Sequence, residues 1–164
     1  MNCTVSRLNQ LISVGEDYLI RTGRQKLAEK PKPTQWSKKE ILGHLIDSAT
    51  YNLRRFTEIH VKPKIYQVVD YEQNDLVLIN DYQGAEPKDL TMLWVGLNRQ
   101  IIHVIRQQTE KTLQINARLP NQKTTNLLFL INDYFIIYTN SIYMFIGSDV
   151  TWAKYDSGHK QRNF

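Results

Sequence analysis

The chain has 164 residues, a net charge of +5 and one cysteine, Cys3. That length suits a single domain with its own core, and one thiol excludes a disulfide framework. The excess positive charge lies mostly in residues 21–39 and 154–162, with no basic element interleaved with aromatics, so nucleic-acid binding is not expected.

The first ten residues lack the apolar run of an export signal, which together with the lone cysteine points to a cytoplasmic protein. Leu8, Leu11, Ile12, Tyr18 and Leu19 make an uneven apolar stripe, and the spacing predicts a first helix over 5–28. Pro31 and Pro33 end it, because proline removes a donor and pushes its predecessor out of helical geometry.

The second predicted helix, 37–60, has the best-defined start. Ser37 is placed to cap the first turn, Glu40 to reach back to the Ser37 amide, and Trp36 to staple onto Ile41. At about 100° per residue two stripes follow from that start. Ile41, Leu42, Leu45, Ala49, Leu53 and Phe56 form the core face, while Lys39, Arg54, Thr57 and Glu58 fall on the solvated side. On the flank between them lie His44, Ser48, Tyr51 and Arg55, with Asp47 a little further out. A polar flank beside a core face is where a bundle can build a site between helices. The plainer reading of His44 is a half-buried helix residue with a hydrogen-bond partner; the sharper one is a ligand or a base.

Residues 61–85 form a long connection too apolar for a free linker, and are expected to pack on the bundle. Pro87 and Asp89 suit the first turn of a third helix over 87–108, with Leu90, Trp94, Leu97, Ile101, Val104 and Ile105 on one face. His103 lies nearly opposite that face and reads as a surface residue. Met92, Val95 and Ile102 also lie off it, as interface residues would. Residues 109–123 are polar. Thr124 or Thr125 is placed to cap a last helix over 124–146, which Gly147 ends. That helix is apolar enough to raise the question of a membrane, but Asn132, Asp133, Asn140 and Ser141 interrupt it, so a buried bundle helix is expected.

The run Trp36-Ser37-Lys38-Lys39-Glu40-Ile41-Leu42-Gly43-His44-Leu45-Ile46-Asp47-Ser48-Ala49, followed by Asn52 and Arg55-Phe56, resembles the second-helix signature of the DinB-like superfamily. That superfamily includes the YfiT-like metal-dependent hydrolases and bacterial thiol S-transferases. The resemblance implies an all-α four-helix bundle with a long second connection, spanning residues 1–147 and leaving 148–164 as a polar tail. It also implies a homodimer and a divalent metal held by three histidines, one of them at His44.

The other two ligands are expected on the last helix. Asp133-Tyr134 matches the family's Asp-Tyr there, which puts the usual ligand positions at Ile137 and Ser141. Isoleucine has no donor atom, and a serine hydroxyl is a poor ligand beside imidazole or carboxylate. His60 and His103 are placed elsewhere, and His159 sits on the tail. No metal centre is therefore expected; a weak zinc or nickel site using Asp47 or Asp133 is the most the donors allow.

A pocket is expected instead around His44, Ser48, Tyr51, Asn52, Trp94, Tyr134, Asn140 and Ser141, with Tyr138 nearby and Ile137 buried. The plainer reading makes Tyr134 and Tyr138 core residues. No nucleophile–base pair stands out, since Ser48 is merely one turn from His44. These residues read as a non-catalytic protein that binds a small molecule or a partner. The alternative is a thiol S-transferase or hydrolase using an altered site around His44.

Overall fold

The computed structural model describes residues 2–61 and 65–147. In chain order the elements are α1 (Asn2–Arg21), α2 (Arg24–Ala28), α3 (Lys38–Glu58), β1 (Tyr66–Gln67), α4 (Gln73–Ile79), α5 (Pro87–Arg106), α6 (Glu110–Leu113), β2 (Asn116–Arg118), β3 (Thr124–Asn126) and α7 (Leu127–Ile146). The long helices α1, α3, α5 and α7 make the expected bundle. α3 packs against α5 and α7, and α1 against the same two, so α5 and α7 share one diagonal.

That diagonal is filled with aromatic rings. Trp94 stacks on Tyr138 at 6.3 Å, Tyr138 meets Tyr134 at 5.6 Å, and Tyr134 meets Phe56 edge-on at 5.9 Å. All four side chains are buried, and large rings of this kind dominate core energetics. The Tyr134 hydroxyl donates to Asn98 Oδ1 at 2.6 Å, and Asn98 Nδ2 donates to the Trp94 carbonyl at 2.8 Å. Tyr134 is thus a core residue with its one required partner.

The start of α3 is a junction. Ser37 Oγ accepts from the Glu40 amide at 3.2 Å, and the Ser37 amide donates to Glu40 Oε2 at 2.7 Å, which completes the capping box. Ser37 Oγ also donates to Gln83 Oε1 at 2.6 Å, and Gln83 Nε2 donates to the Ala28 carbonyl at 2.7 Å. Lys39, expected in solvent, is instead 2 % exposed, because its Nζ donates to the Gln83 carbonyl at 2.6 Å. The long connection therefore ends by clamping onto the first turn of α3 and the end of α2.

Elsewhere the elements differ from the sequence pattern for local reasons. The first helix breaks after Arg21. Thr22 turns its hydroxyl back to the Tyr18 carbonyl, and Gly23 adopts an extended backbone, leaving α2 as a separate short helix. Thr124 and Thr125 are strand residues rather than caps. They pair antiparallel with Arg118 and Ala117, as β-branched residues favour, and Asn126 caps α7 by accepting from the Phe129 amide at 3.0 Å. β2 also pairs in parallel with β1, Tyr66 opposite Ala117, so the long connection is stitched to a small three-stranded sheet. Gly147 ends α7 with φ 61°, where glycine has no side chain to strain.

Val95 and Ile102 are 5 % and 3 % exposed, so both belong to the core, and Met92 alone of that trio stays in solvent. α5 packs between α1 and α3 and buries a face wider than one stripe. Two of the three residues offered as a dimer interface are thereby removed. Among the described residues no helix is long and apolar enough to cross a membrane. The tail 148–164, with His159, lies outside the described residues.

Candidate functional site

The capping box fixes the register of α3, and that register turns His44, Ser48, Asn52 and Arg55 toward one flank. They line a cleft of about 420 Å³ between α3 and α7. Asp133 and Ile137 on α7 face them, and Asp70, Tyr71, Glu72 and Gln73 close the cleft from the connection after β1. The size is within the range of small-molecule sites, although the lining is more polar than is usual for them.

The connection is held over the flank by α3 itself. Arg55 Nη2 donates to the Val69 carbonyl at 2.7 Å, and its Nη1 lies 3.4 Å from Asn52 Oδ1. Tyr71 stacks on Tyr51 with ring centroids 4.2 Å apart, sits 6.0 Å from the Arg55 guanidinium, and shares a hydrogen bond with Ser48. Asn52 Nδ2 donates to the Ser48 carbonyl at 2.8 Å. Burial raises the Tyr71 phenol above its ordinary value, so it stays protonated and able to donate.

His44 is 8 % exposed, packed against Trp36 at 5.2 Å, and its Nδ1 is buried without a hydrogen-bond partner. The partner expected of a half-buried histidine is therefore missing. Burial lowers the imidazole below its ordinary value, which favours the neutral ring. One turn along, Asp47 looks away from it. Asp47 Oδ1 accepts from the Tyr82 hydroxyl at 2.6 Å and from Asn80 Nδ2 at 3.1 Å, and its Oδ2 is buried and unpartnered. Burial raises the Asp47 carboxyl, and the Tyr82 and Asn80 hydrogen bonds oppose that rise. The hydroxyl of Ser48 faces Tyr71, and among the described residues no hydrogen bond joins it to His44. An acid–base–nucleophile chain is not assembled here.

The expected pocket residues separate into two groups. His44, Ser48 and Asn52 line the cleft, and Tyr51 supports its roof. Trp94 and Tyr134 are 0 % and 1 % exposed in the bundle centre, and Tyr138 is there with them. Asn140 is exposed and Ser141 half-buried, neither of them lining the cleft. Ile137, expected to be buried, is 44 % exposed and lines the cleft. Asp70, Tyr71, Glu72, Gln73 and Asp133 were not among the expected pocket residues. The apolar composition of residues 61–85 was the available sign that this segment packs onto the bundle.

No protein-family model matches the chain, and no curated protein matches it significantly. Solved structures do. YfiT from Bacillus subtilis, described as a probable metal-dependent hydrolase with an unusual four-helix bundle topology, matches with a TM-score of 0.76 and 15 % identity over 87 % of this chain and 81 % of its own. The chain has the four-helix-bundle fold of YfiT. The mycothiol-dependent maleylpyruvate isomerase matches with a TM-score of 0.69 and 11 % identity over 93 % of this chain. A histidine-to-alanine variant of that isomerase gives 0.66 and 10 %. This chain spans 62 % and 57 % of those two isomerase chains.

The donor set does not fit the three-imidazole metal centre that the resemblance implies. His44 lines the cleft, but Ile137 opposite offers carbon, and Ser141 offers a hydroxyl outside the lining. Asp133 shares the cleft, while Asp47 is committed to Tyr82 and Asn80. Among the described residues no group of three or more His, Cys, Asp or Glu side chains is placed to hold a metal ion.

Proposed function

We propose that this chain is a DinB-like bundle with a degenerate metal site, whose cleft binds a small polar molecule without a metal and without catalysing a reaction on it. The observation that carries the reading is the cleft's own wall. His44, the retained family position, lines it, and Ile137 lines the same space with no donor atom. The lining that remains suits recognition: Ser48 and Tyr71 hydroxyls, the Asn52 and Gln73 amides and an aromatic wall. A triad-type hydrolase would need a base aimed at a nucleophile. Asp47, the nearest acid along α3, is turned to Tyr82 instead.

A fragment screen read by NMR tests this, following the His44 ring and the neighbouring Trp36 indole. Fragments that bind are expected to shift both resonances, and Ile137→Trp, at a half-exposed position on the cleft wall, is expected to abolish those shifts without unfolding the bundle. Shifts that persist in a folded Ile137→Trp protein would place the site elsewhere. A screen with no binder would count against a ligand cleft altogether.

A further inference from the structure

α7 is apolar on both of its faces. The inner face supplies Leu130, Tyr134, Tyr138 and Ile142 to the core. The outer face carries Phe129, Ile136, Ile137 and Met144, spaced at i, i+7, i+8 and i+15, each between 44 % and 73 % exposed. Asp133 and Asn140 sit in the middle of that stripe, and both are exposed. Asp133 is the one charged residue in the twenty of α7, in a chain that is 23 % charged. The outer faces of other helices are of the ordinary kind, with Asp17 and Arg21 on α1 and Lys88, Arg99 and Arg106 on α5. A helix that is hydrophobic all round is normally covered all round.

Exposure alone does not say what covers the stripe. Its residue order does, because the stripe is self-complementary about a point between Ile136 and Ile137. In an antiparallel pair of α7 helices centred there, Phe129 meets Met144, Ile136 meets Ile137, and Asp133 meets Asn140 of the second copy. Each apolar group then faces an apolar group, and each carboxylate faces an amide able to donate to it. Other arrangements lose this match. A parallel pair sets Asp133 against its own copy, carboxylate to carboxylate. Moving the centre two residues toward the N-terminus sets Asp133 against Ile136 and Phe129 against Asn140.

The four apolar side chains present roughly 400 Å² of surface per copy, within the range of patches that mark interaction sites. A standard interface takes about 800 Å² from each partner. Asp133 and Asn140 within the stripe, and the half-buried Leu128, Phe135 and Tyr143 beside it, bring the face to that order. We propose that α7 is the interface of a homodimer, in which two copies of this chain pair their outer stripes antiparallel about Ile136 and Ile137. The face lost from α5 through the burial of Val95 and Ile102 is thereby replaced by one on α7. Asp133 and Ile137 belong to the stripe and to the cleft wall alike, so the second copy stands at the rim of the cleft. The pairing itself does not depend on whether the cleft takes a ligand.

Sedimentation equilibrium of the full chain reads the pairing, with a reductant present because Cys3 is exposed. Loading concentrations from about 1 to about 100 µM span the affinity expected of an interface at the weak end of the standard class. Twice the 19.3 kDa chain mass is expected at the upper end. Ile136→Lys, at an exposed position outside the cleft lining, should weaken the dimer about a hundredfold or more and keep the helical circular dichroism of wild type. Asn140→Lys should tighten it about tenfold, since each copy then sets an ammonium against Asp133 of the other, and Asn140→Asp should loosen it by a similar factor. A wild-type monomer at the highest concentration overturns the proposal and leaves the stripe to another occupant, residues 148–164 of the same chain or a different protein. A dimer that survives Ile136→Lys has its interface elsewhere and overturns it as well. Asn140→Lys and Asn140→Asp moving the affinity in the same direction, or not at all, would overturn the antiparallel register.

Discussion

The Tyr82 hydroxyl donates to Asp47 Oδ1 at 2.6 Å across the buried edge of α3. It reaches that oxygen because residue 43 is glycine. A Cβ built on Gly43 would lie 2.0 Å from the nearest carbon of the Tyr82 ring, far inside contact distance. The contact ties the end of the long connection to the helix that carries the cleft, and it supplies a buried carboxylate with a donor.

Gly43→Ala is therefore expected to displace Tyr82 and to destabilise the fold by about 1–3 kcal/mol, the usual cost of overpacking. Tyr82→Phe keeps the ring and removes the donor, at a cost of about 1–3 kcal/mol for a buried acceptor left short of a partner. Denaturant melts of both variants check this. A Gly43→Ala protein as stable as wild type would mean that Tyr82 does not pack there.

Ser37→Ala removes a cap and a link to Gln83 together. A lost N-cap costs about 1 kcal/mol, and the second bond puts the expected loss at about 1–2 kcal/mol. Gln83→Ala should reproduce part of the same loss, and the double variant should lose less than the two single losses added. Strict additivity would show that the two side chains do not act on each other.

The pH dependence of stability should carry the mark of His44. Burial lowers its folded value, so near and below about pH 6.5, the ordinary value in an unfolded chain, the unfolded state binds more protons. Stability then falls as pH drops through that window. His44→Gln should flatten the fall between about pH 7 and pH 5 relative to wild type. Asp47 is shifted the opposite way, its carboxyl raised by burial, so it favours the fold as pH falls through its own lower range. Comparing the two proteins cancels that contribution. A parallel slope in the variant would mean that the imidazole titrates as freely in the fold as out of it.

What the sequence made legible was local. Ser37, Glu40 and the flank of His44, Ser48, Tyr51 and Arg55 follow from one capping signal and a period of 3.6 residues. What it hid depended on contacts between distant segments. Lys39 looks solvated until Gln83 arrives to accept from it. Residues 70–73 enter the cleft because Arg55 holds Val69 and Tyr51 stacks on Tyr71, neither of which has a spacing to read. Trp94 and Tyr134 were indistinguishable from pocket residues by type, and which aromatic fills the centre is decided by the helix opposite. Val95 and Ile102 are buried because α5 packs against two neighbours rather than one. Thr124 and Thr125 pair as strand because residues 116–118 lie beside them.

The two ligand positions that the family resemblance implies can be given imidazoles. Ile137→His with Ser141→His places two imidazoles one turn apart on α7, the first on the cleft wall across from His44. With Ile137 already 44 % exposed, the apo variant should fold with little loss. Zinc should raise its melting temperature in proportion to the logarithm of free metal, because binding to the native state alone stabilises it. A folded variant with no zinc-dependent shift would mean that His44 does not face the position that the family resemblance implies for a metal.

The absence of a native metal centre is tested most directly by the metal content of the wild-type protein, purified without a histidine tag and measured by elemental analysis. The donors on the cleft predict substoichiometric zinc and nickel, unchanged by His44→Ala. One equivalent of either metal per chain, lost in His44→Ala, would contradict the account and return the site to metal-dependent chemistry.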